Sequence, residues 1–463
     1  MGKRKDRQES LFVTTDKLAR GGGHPFYRKL NGLLAEAGFD RWVEDRCRQY
    51  YAQEEKRGQP SIPPGVYFRM LLVGYFEGID SQRGIAWRCA DSFALRQFLG
   101  IPLDEATPDH STLTNTRKRL PPEVFDEVFQ FVLAIADQKK LLDVKTVGVD
   151  STTLEANAAM KSIVRRDTGE DWREYVRRLM REEGLLDADE EPSDEALRRY
   201  DKKRKNKTVS NDEWVSESDP EARITKLKDG RTHLAYKAEH VVDMQSDIIL
   251  AAEIYEGHQA DTATLVDSVV EAQVHLQAAG IEQQIEEVAA DKGYHSAEGL
   301  ELADSLALRT YIPEPQYAHD RTWTDKPGEY QRVVYNNRRR VQHRKGKHLQ
   351  RLRSEHCERT FAHVCDTGGM RRSWLRGLVD VTKRYLIAAA AHNLGRILRA
   401  LCGIGKPRVL QAGAGEDSGA GRLAALLQFL ITCWKLAPVR FQRLLAKKMN
   451  LLPFAPSRLR KTA

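Results

Sequence analysis

The apolar spacing of the chain changes character near residue 140, and that change limits the fold more than any other feature. From residue 24 to about 140 the spacing is helical. Pro63-Pro64 opens a segment in which Tyr67, Met70, Leu71, Val73 and Tyr75 recur near every third or fourth position. A second helical segment spans Ser81 to Leu99. Pro108-Asp109-His110-Ser111-Thr112 is a turn rich in helix-capping residues. Pro121-Pro122 then opens an amphipathic helix with Val124, Phe125, Val128, Phe129, Val132 and Ile135 on one face. Beyond it come short β-branched runs at Lys145 to Asp150, Ala235 to Asp243, Ile248 to Tyr255, Ile285 to Ala290 and Leu308 to Ile312. The second and third of these read as a hairpin across Met244-Gln245-Ser246-Asp247. Helices are expected at Asp261 to Ala279, Ser296 to Leu306, about Arg353 to Cys365, and Arg384 to Leu401.

This order predicts a mixed five-stranded sheet flanked by helices. A helical N-terminal domain would span 1–140 and an α/β core 141–400. The core carries a densely charged insertion at about 157–233. Within it, Arg198 to Lys207 holds seven Lys or Arg against one Asp. That reads as solvated helices and loops outside the main core, with DNA contact as the alternative. Gly413 to Gly421 is a flexible linker within 401–463, ahead of an apolar-basic, helical tail.

Composition excludes several classes. Lys plus Arg is 74 against 66 Asp plus Glu, a net charge of +8 over 463 residues. The basic balance favours an acidic partner such as nucleic acid. No apolar run approaches the length of a membrane span; the longest, Tyr385 to Leu394, is short and flanked by Lys383, Arg384 and Arg396. The start, Met-Gly-Lys-Arg-Lys-Asp-Arg, lacks a signal-peptide core. The six cysteines are scattered with no Cys-x-x-Cys pair, against a zinc ribbon or a disulfide scaffold. The expectation is a cytoplasmic protein in a reducing compartment, with no membrane partner.

Three acids sit where the predicted order would gather them. Asp150 ends the first strand, Asp291 ends the fourth, and Glu355 or Glu358 lies on the helix after the fifth. Converging carboxylates repel unless a cation neutralises them. Open carboxylate sites suit Mg²⁺ or Mn²⁺, and a pair of such ions can clamp a phosphoryl transfer. Alone, each acid is more often a turn residue, a cap or a solvent-facing charge.

The flanks of these acids resemble a known family. Val147-Gly148-Val149-Asp150-Ser151-Thr152-Thr153-Leu154-Glu155-Ala156-Asn157-Ala158, Ala289-Ala290-Asp291-Lys292-Gly293-Tyr294 and Glu358-Arg359-Thr360-Phe361 are similar to stretches of bacterial insertion-sequence transposases of the Asp-Asp-Glu (DDE) type. Pro108 to Thr112 resembles the small helical domain that precedes the catalytic core in such enzymes. The likeness covers about residues 60–400.

The resemblance implies a ribonuclease-H-like core in which Asp150, Asp291 and the helix Glu hold two Mg²⁺ or Mn²⁺ ions. It implies cleavage at the element's ends and attack of the freed 3′-hydroxyl on target DNA. Its partners would be the terminal inverted repeats, target DNA and a second copy of the chain, bound to bacterial DNA. A nuclease of the same core without strand transfer, and an inactive DNA-binding descendant, are the rival readings.

Related enzymes often carry Tyr, Arg, Glu and Lys in a fixed spacing around the helix Glu, and that signature is absent here for either candidate. Helix geometry separates the two. At about 100° per residue, Cys357, Phe361, Val364 and Cys365 form one apolar stripe. Glu358 lies about 75° from its centre and Glu355 about 135°, so the geometry favours Glu358. Candidate DNA contacts are Lys292 and Tyr294, then Arg338, Arg339, Arg340, Arg344, Lys345 and Lys347 from a run with eight Lys or Arg and no acid, and Arg371 and Arg372. His240 and His258 read as structural histidines, and Glu155 as a neighbour of Asp150 rather than a ligand.

Overall fold

Among the described residues seven helices come first along the chain, and their ends are set by local chemistry. These are α1 (Pro25–Glu36), α2 (Phe39–Tyr51), α3 (Pro64–Glu77), α4 (Gln82–Ala90), α5 (Phe93–Leu99), α6 (His110–Arg119) and α7 (Pro122–Gln138). Proline occupies the first turn of α1, α3 and α7, where its missing N–H costs nothing. The Ser81, Ser92 and Asp109 side chains cap α4, α5 and α6. Helix α3 is buried on almost every face and forms the hub of this layer. The computed structural model describes residues 23–51, 61–187, 190–205, 210–226, 230–316 and 322–407. The linker and tail expected beyond residue 407 lie outside the described residues.

The core follows as β1 (Thr146–Glu155), β2 (Ile163–Arg165), α8 (Trp172–Glu182), α9 (Asp194–Lys203), β3 (Trp214–Ser216), β4 (Arg223–Lys226), β5 (Thr232–Asp243), β6 (Ile249–Glu256), α10 (Asp261–Ala278), β7 (Glu287–Ala290), α11 (Ala297–Ser305), β8 (Arg309–Tyr311), α12 (Gly328–Gln342), α13 (Arg344–Phe361) and α14 (Leu378–Cys402). The main sheet is mixed. Strand β1 runs antiparallel to β5 and parallel to β7, and β7 runs parallel to β8. The far edge of β5 carries both β6 and β4.

Two features differ from the sequence expectation. Among the described residues the sheet has six strands rather than five, because the charged insertion returns β4 to its edge; β2 and β3 form a separate ribbon. Strand β1 also continues past Asp150 to Glu155, since β5 pairs with it to Ala235. The parallel partner β7 stops earlier, with Val149↔Ala290 as the last pair. Asp150 therefore stands mid-strand, at the point where the sheet loses a neighbour.

Alternation along β1 sends successive side chains to opposite faces. Gly148 and Asp150 look toward α13. A Cβ at Gly148 would meet Arg353 Cγ and Cys357 Sγ, both at 3.2 Å, so glycine lets the helix close on the strand. Ser151 looks the other way, toward α10. Helix α14 packs against α3, α7 and β6, and joins the helical layer to the sheet. Its buried Lys383 donates to the carbonyls of Arg117 and Leu120, which close the end of α6.

Candidate active site

The parallel register of β1 and β7 ends one residue before two acids, and this sets the site. Asp150 follows Val149 and Asp291 follows Ala290, so the carboxylates leave neighbouring strands at the same level. Asp291 also caps the short 3₁₀ turn Lys292–Tyr294, its Oδ1 accepting from the Lys292 amide at 2.6 Å. Helix α13 crosses this end of the sheet. Its Cys357, Thr360 and Phe361 are buried, and Glu358 emerges beside them.

Glu358 and Asp150 line one open cleft of about 460 Å³, together with Thr152, Glu155, Asp366 and Arg371. Glu355 does not line it. Its carboxylate accepts from Arg359, whose guanidinium also reaches Asp247 at the β5–β6 turn. Burial alone would raise the Asp247 carboxyl, but His356, Arg396 and Arg359 outweigh it and hold it far below the usual carboxylate range. Glu355 thus belongs to an ion network away from Asp150.

The positive charge that the acids require is met by a residue the sequence analysis did not single out. Arg353 donates from Nη1 to Asp150 Oδ2 at 2.9 Å, and its Nη2 lies 3.8 Å from Asp291 Oδ1. One guanidinium therefore links the two aspartates. Its only advance signal was spacing: Arg353 precedes Cys357 by four residues and shares its face. Among the described residues, no group of three or more His, Cys, Asp and Glu side chains is placed to hold a metal ion. The donor chemistry still fits a hard divalent cation. All three groups are carboxylates, all are water-accessible, and two already share one cation.

The candidate DNA contacts divide into two sets. Lys292, Arg339, Arg344, Lys345 and Lys347 are exposed. Arg344, Lys345 and Lys347 share a groove with His348 and Arg351 on the first turns of α13, although Lys345 also reaches the buried Glu287. Arg371 lines the acid cleft, bonded to Asp366 and to Thr152 Oγ1 at 3.2 Å, and Arg372 stacks on Trp374. The other set turns inward. Arg338 pairs with Glu314, and Arg340 donates to the Thr310 carbonyl.

Tyr294 is in the core, 1% exposed, and donates to Glu239 at 2.8 Å; it offers no ring face to a base. The basic run is helical: Val333 and Val334 of α12 are buried, and Asn337 pairs with the Ile312 backbone just past β8. His240 is structural as expected. It lies between Thr360 Oγ1 at 2.9 Å and Tyr385 Oη at 2.8 Å, stacked on Phe361. His258 is exposed beside Glu256.

Comparison with known families places this architecture. Residues 15–119 match the family described as Transposase domain (DUF772), and residues 315–398 match the family described as Transposase DDE domain. The first match takes in α1 to α6; the second takes in α12, α13 with Glu358, and most of α14. Asp150 and Asp291 lie outside both. Two transposase domains in this order support a DDE-type insertion-sequence transposase. No curated protein and no solved structure matches the chain.

Proposed function

We propose that this protein is a metal-dependent DDE transposase with Asp150, Asp291 and Glu358 as its catalytic carboxylates. The observation that carries the reading is the shared end of β1 and β7, which sets two aspartates side by side beneath a helix bearing the third acid. The sheet order β6–β5–β1–β7–β8, antiparallel on one side of β1 and parallel on the other, supports a ribonuclease-H-like core. The three carboxylates would hold Mg²⁺ or Mn²⁺, as two ions. Bound there, the cations supply charge for the transferring phosphate and lower the pKa of water.

The chain's own groups do the rest. Arg371 reaches into the cleft and is placed to hold a phosphate oxygen of the strand being cut. Lys292 stands beside Asp291, where it neutralises the adjoining backbone. Arg344, Lys345 and Lys347 hold the duplex by its phosphates, which sets affinity and register but not sequence. Helices α1 to α7 recognise the element's ends, and two copies assemble on paired ends in the bacterial cytoplasm. Cleavage would leave a 3′-hydroxyl that attacks target DNA.

The test is a supercoiled plasmid carrying the element ends, with Mg²⁺ or Mn²⁺, and wild type beside Asp150→Asn. Wild type should cut and join; Asp150→Asn should bind the ends and leave the plasmid intact. Cutting without joining of pre-cut ends would reduce the activity to a nuclease. Binding of the ends by wild type with no cleavage would reject the enzyme reading.

A further inference from the structure

Beneath the acid cleft, on the opposite face of the sheet, lies a polar cluster, buried at its centre, that the reaction above does not use. Its centre is Glu239 on β5, fully buried, with Oε2 accepting from Tyr294 Oη and Thr264 Oγ1 at 2.8 Å each and Oε1 accepting from Ser268 Oγ at 2.6 Å. The buried Lys237 ammonium lies 3.1 Å from Glu239, 2.8 Å from Asp261 Oδ1 and 2.7 Å from Thr264 Oγ1. Ser151 Oγ donates to the same Asp261 oxygen at 2.9 Å.

The ends of this chain of contacts are informative. Ser151 directly follows Asp150. Tyr294 closes the 3₁₀ turn that Asp291 opens. Ser151 and Glu239 are also direct partners across the β1–β5 ladder. The cluster therefore ties the backbone after one aspartate to the backbone after the other, through a buried ion pair with little freedom to shift.

We propose that Glu239, Lys237 and Tyr294 are positioning residues that fix the spacing of Asp150 and Asp291. This rests on the transposase reading of the cleft. None of the three touches the reacting atoms. Each acts through the backbone, as outer-shell partners do when they orient carboxylates.

Tyr294→Phe deletes one hydroxyl and keeps the ring, and Glu239→Gln keeps the shape of the buried carboxylate. Val132→Ala, a core change in α7, serves as a control for general loosening. Cleavage rate, DNA affinity, Mn²⁺ affinity by electron paramagnetic resonance, and melting temperature are measured for all. For Tyr294→Phe and Glu239→Gln the expected result is a roughly tenfold slower cut and roughly tenfold weaker Mn²⁺ binding, with element-end affinity within twofold. Val132→Ala should melt earlier yet keep rate and Mn²⁺ affinity within twofold.

The proposal is overturned if Tyr294→Phe, or Glu239→Gln should the first not fold, cuts and binds Mn²⁺ like wild type. It is equally overturned if Val132→Ala loses as much of both. A wild type that neither cuts nor binds Mn²⁺ overturns the transposase reading, and the positioning role with it.

Discussion

The two faces of β1 carry the same kinds of charged side chain and treat them in opposite ways. Toward α13, Asp150 and Glu358 line an open cleft with Arg371, and the Arg353 guanidinium ties Asp150 to the exposed Asp291. Toward α10, Lys237 and Glu239 are sealed from water, and hydroxyls of Thr264, Ser268 and Tyr294 complete their hydrogen bonding. Side-chain type does not separate a binding cleft from a structural core. Access to water and completeness of pairing do, since an open carboxylate can exchange partners and a sealed one cannot.

The largest expected difference between the faces is in stability. Lys237→Ala leaves Glu239 buried without its cation, and the loss should be about 3–5 kcal/mol by denaturant unfolding. Arg353→Gln removes the bridging cation of the cleft, but water reaches Asp150 and Asp291, so the loss should be only about 1–2 kcal/mol. Equal losses would break the contrast.

The faces should also answer pH with opposite signs. On the α13–α14 side, burial pushes the His392 imidazole down to about 3, and His240 falls well below its ordinary value. A neutral buried histidine of this kind contributes its stability fully above pH 6.5, its unfolded pKa. That contribution is lost as pH falls from there toward the folded value, about 2 kcal/mol for His392 at pH 5. On the α10 side, burial raises Glu253 to about 7, with Glu271, Asp126 and Glu239 adding to the rise and His275 opposing it. Its contribution is present below the unfolded carboxyl pKa and is lost as pH rises through 7. His392→Asn should flatten the acid limb of the stability profile, and Glu253→Gln the alkaline limb. The same limb responding to both variants would contradict the assignment.

The smallest effects belong to the exposed cations. Arg344→Ala and Lys347→Ala should each lower the salt slope of DNA binding by about 1, with no change in sequence preference. Arg338→Ala, whose guanidinium is turned to Glu314, should leave the slope where it is.

The sequence exposed the parts of this molecule that depend on local pattern. The helices before residue 140, the hairpin and the strands before Asp150 and Asp291 all follow apolar periodicity and turn chemistry. What it hid depends on distant partners. Strand β4, Arg-Ile-Thr-Lys, is too short and polar to read as part of a sheet until β5 is beside it. Helix α12 is masked by its charges, because only a narrow strip holds it to the core. Arg353 looks like any other member of a basic run, since its partners lie about 60 and 200 positions away. Tyr294 follows a candidate catalytic acid as a DNA-stacking residue would, yet a buried carboxylate from β5 claims its hydroxyl.

The most direct test of the central claim is plasmid cleavage in Mn²⁺ by four single variants, Asp150→Asn, Asp291→Asn, Glu358→Gln and Glu355→Gln, each first shown to be folded and to bind element ends. A site built from the ends of β1 and β7 and the cleft side of α13 predicts at least a thousandfold loss for the first three and a rate within a few-fold of wild type for Glu355→Gln. Cleavage retained by Glu358→Gln and lost by Glu355→Gln would contradict it.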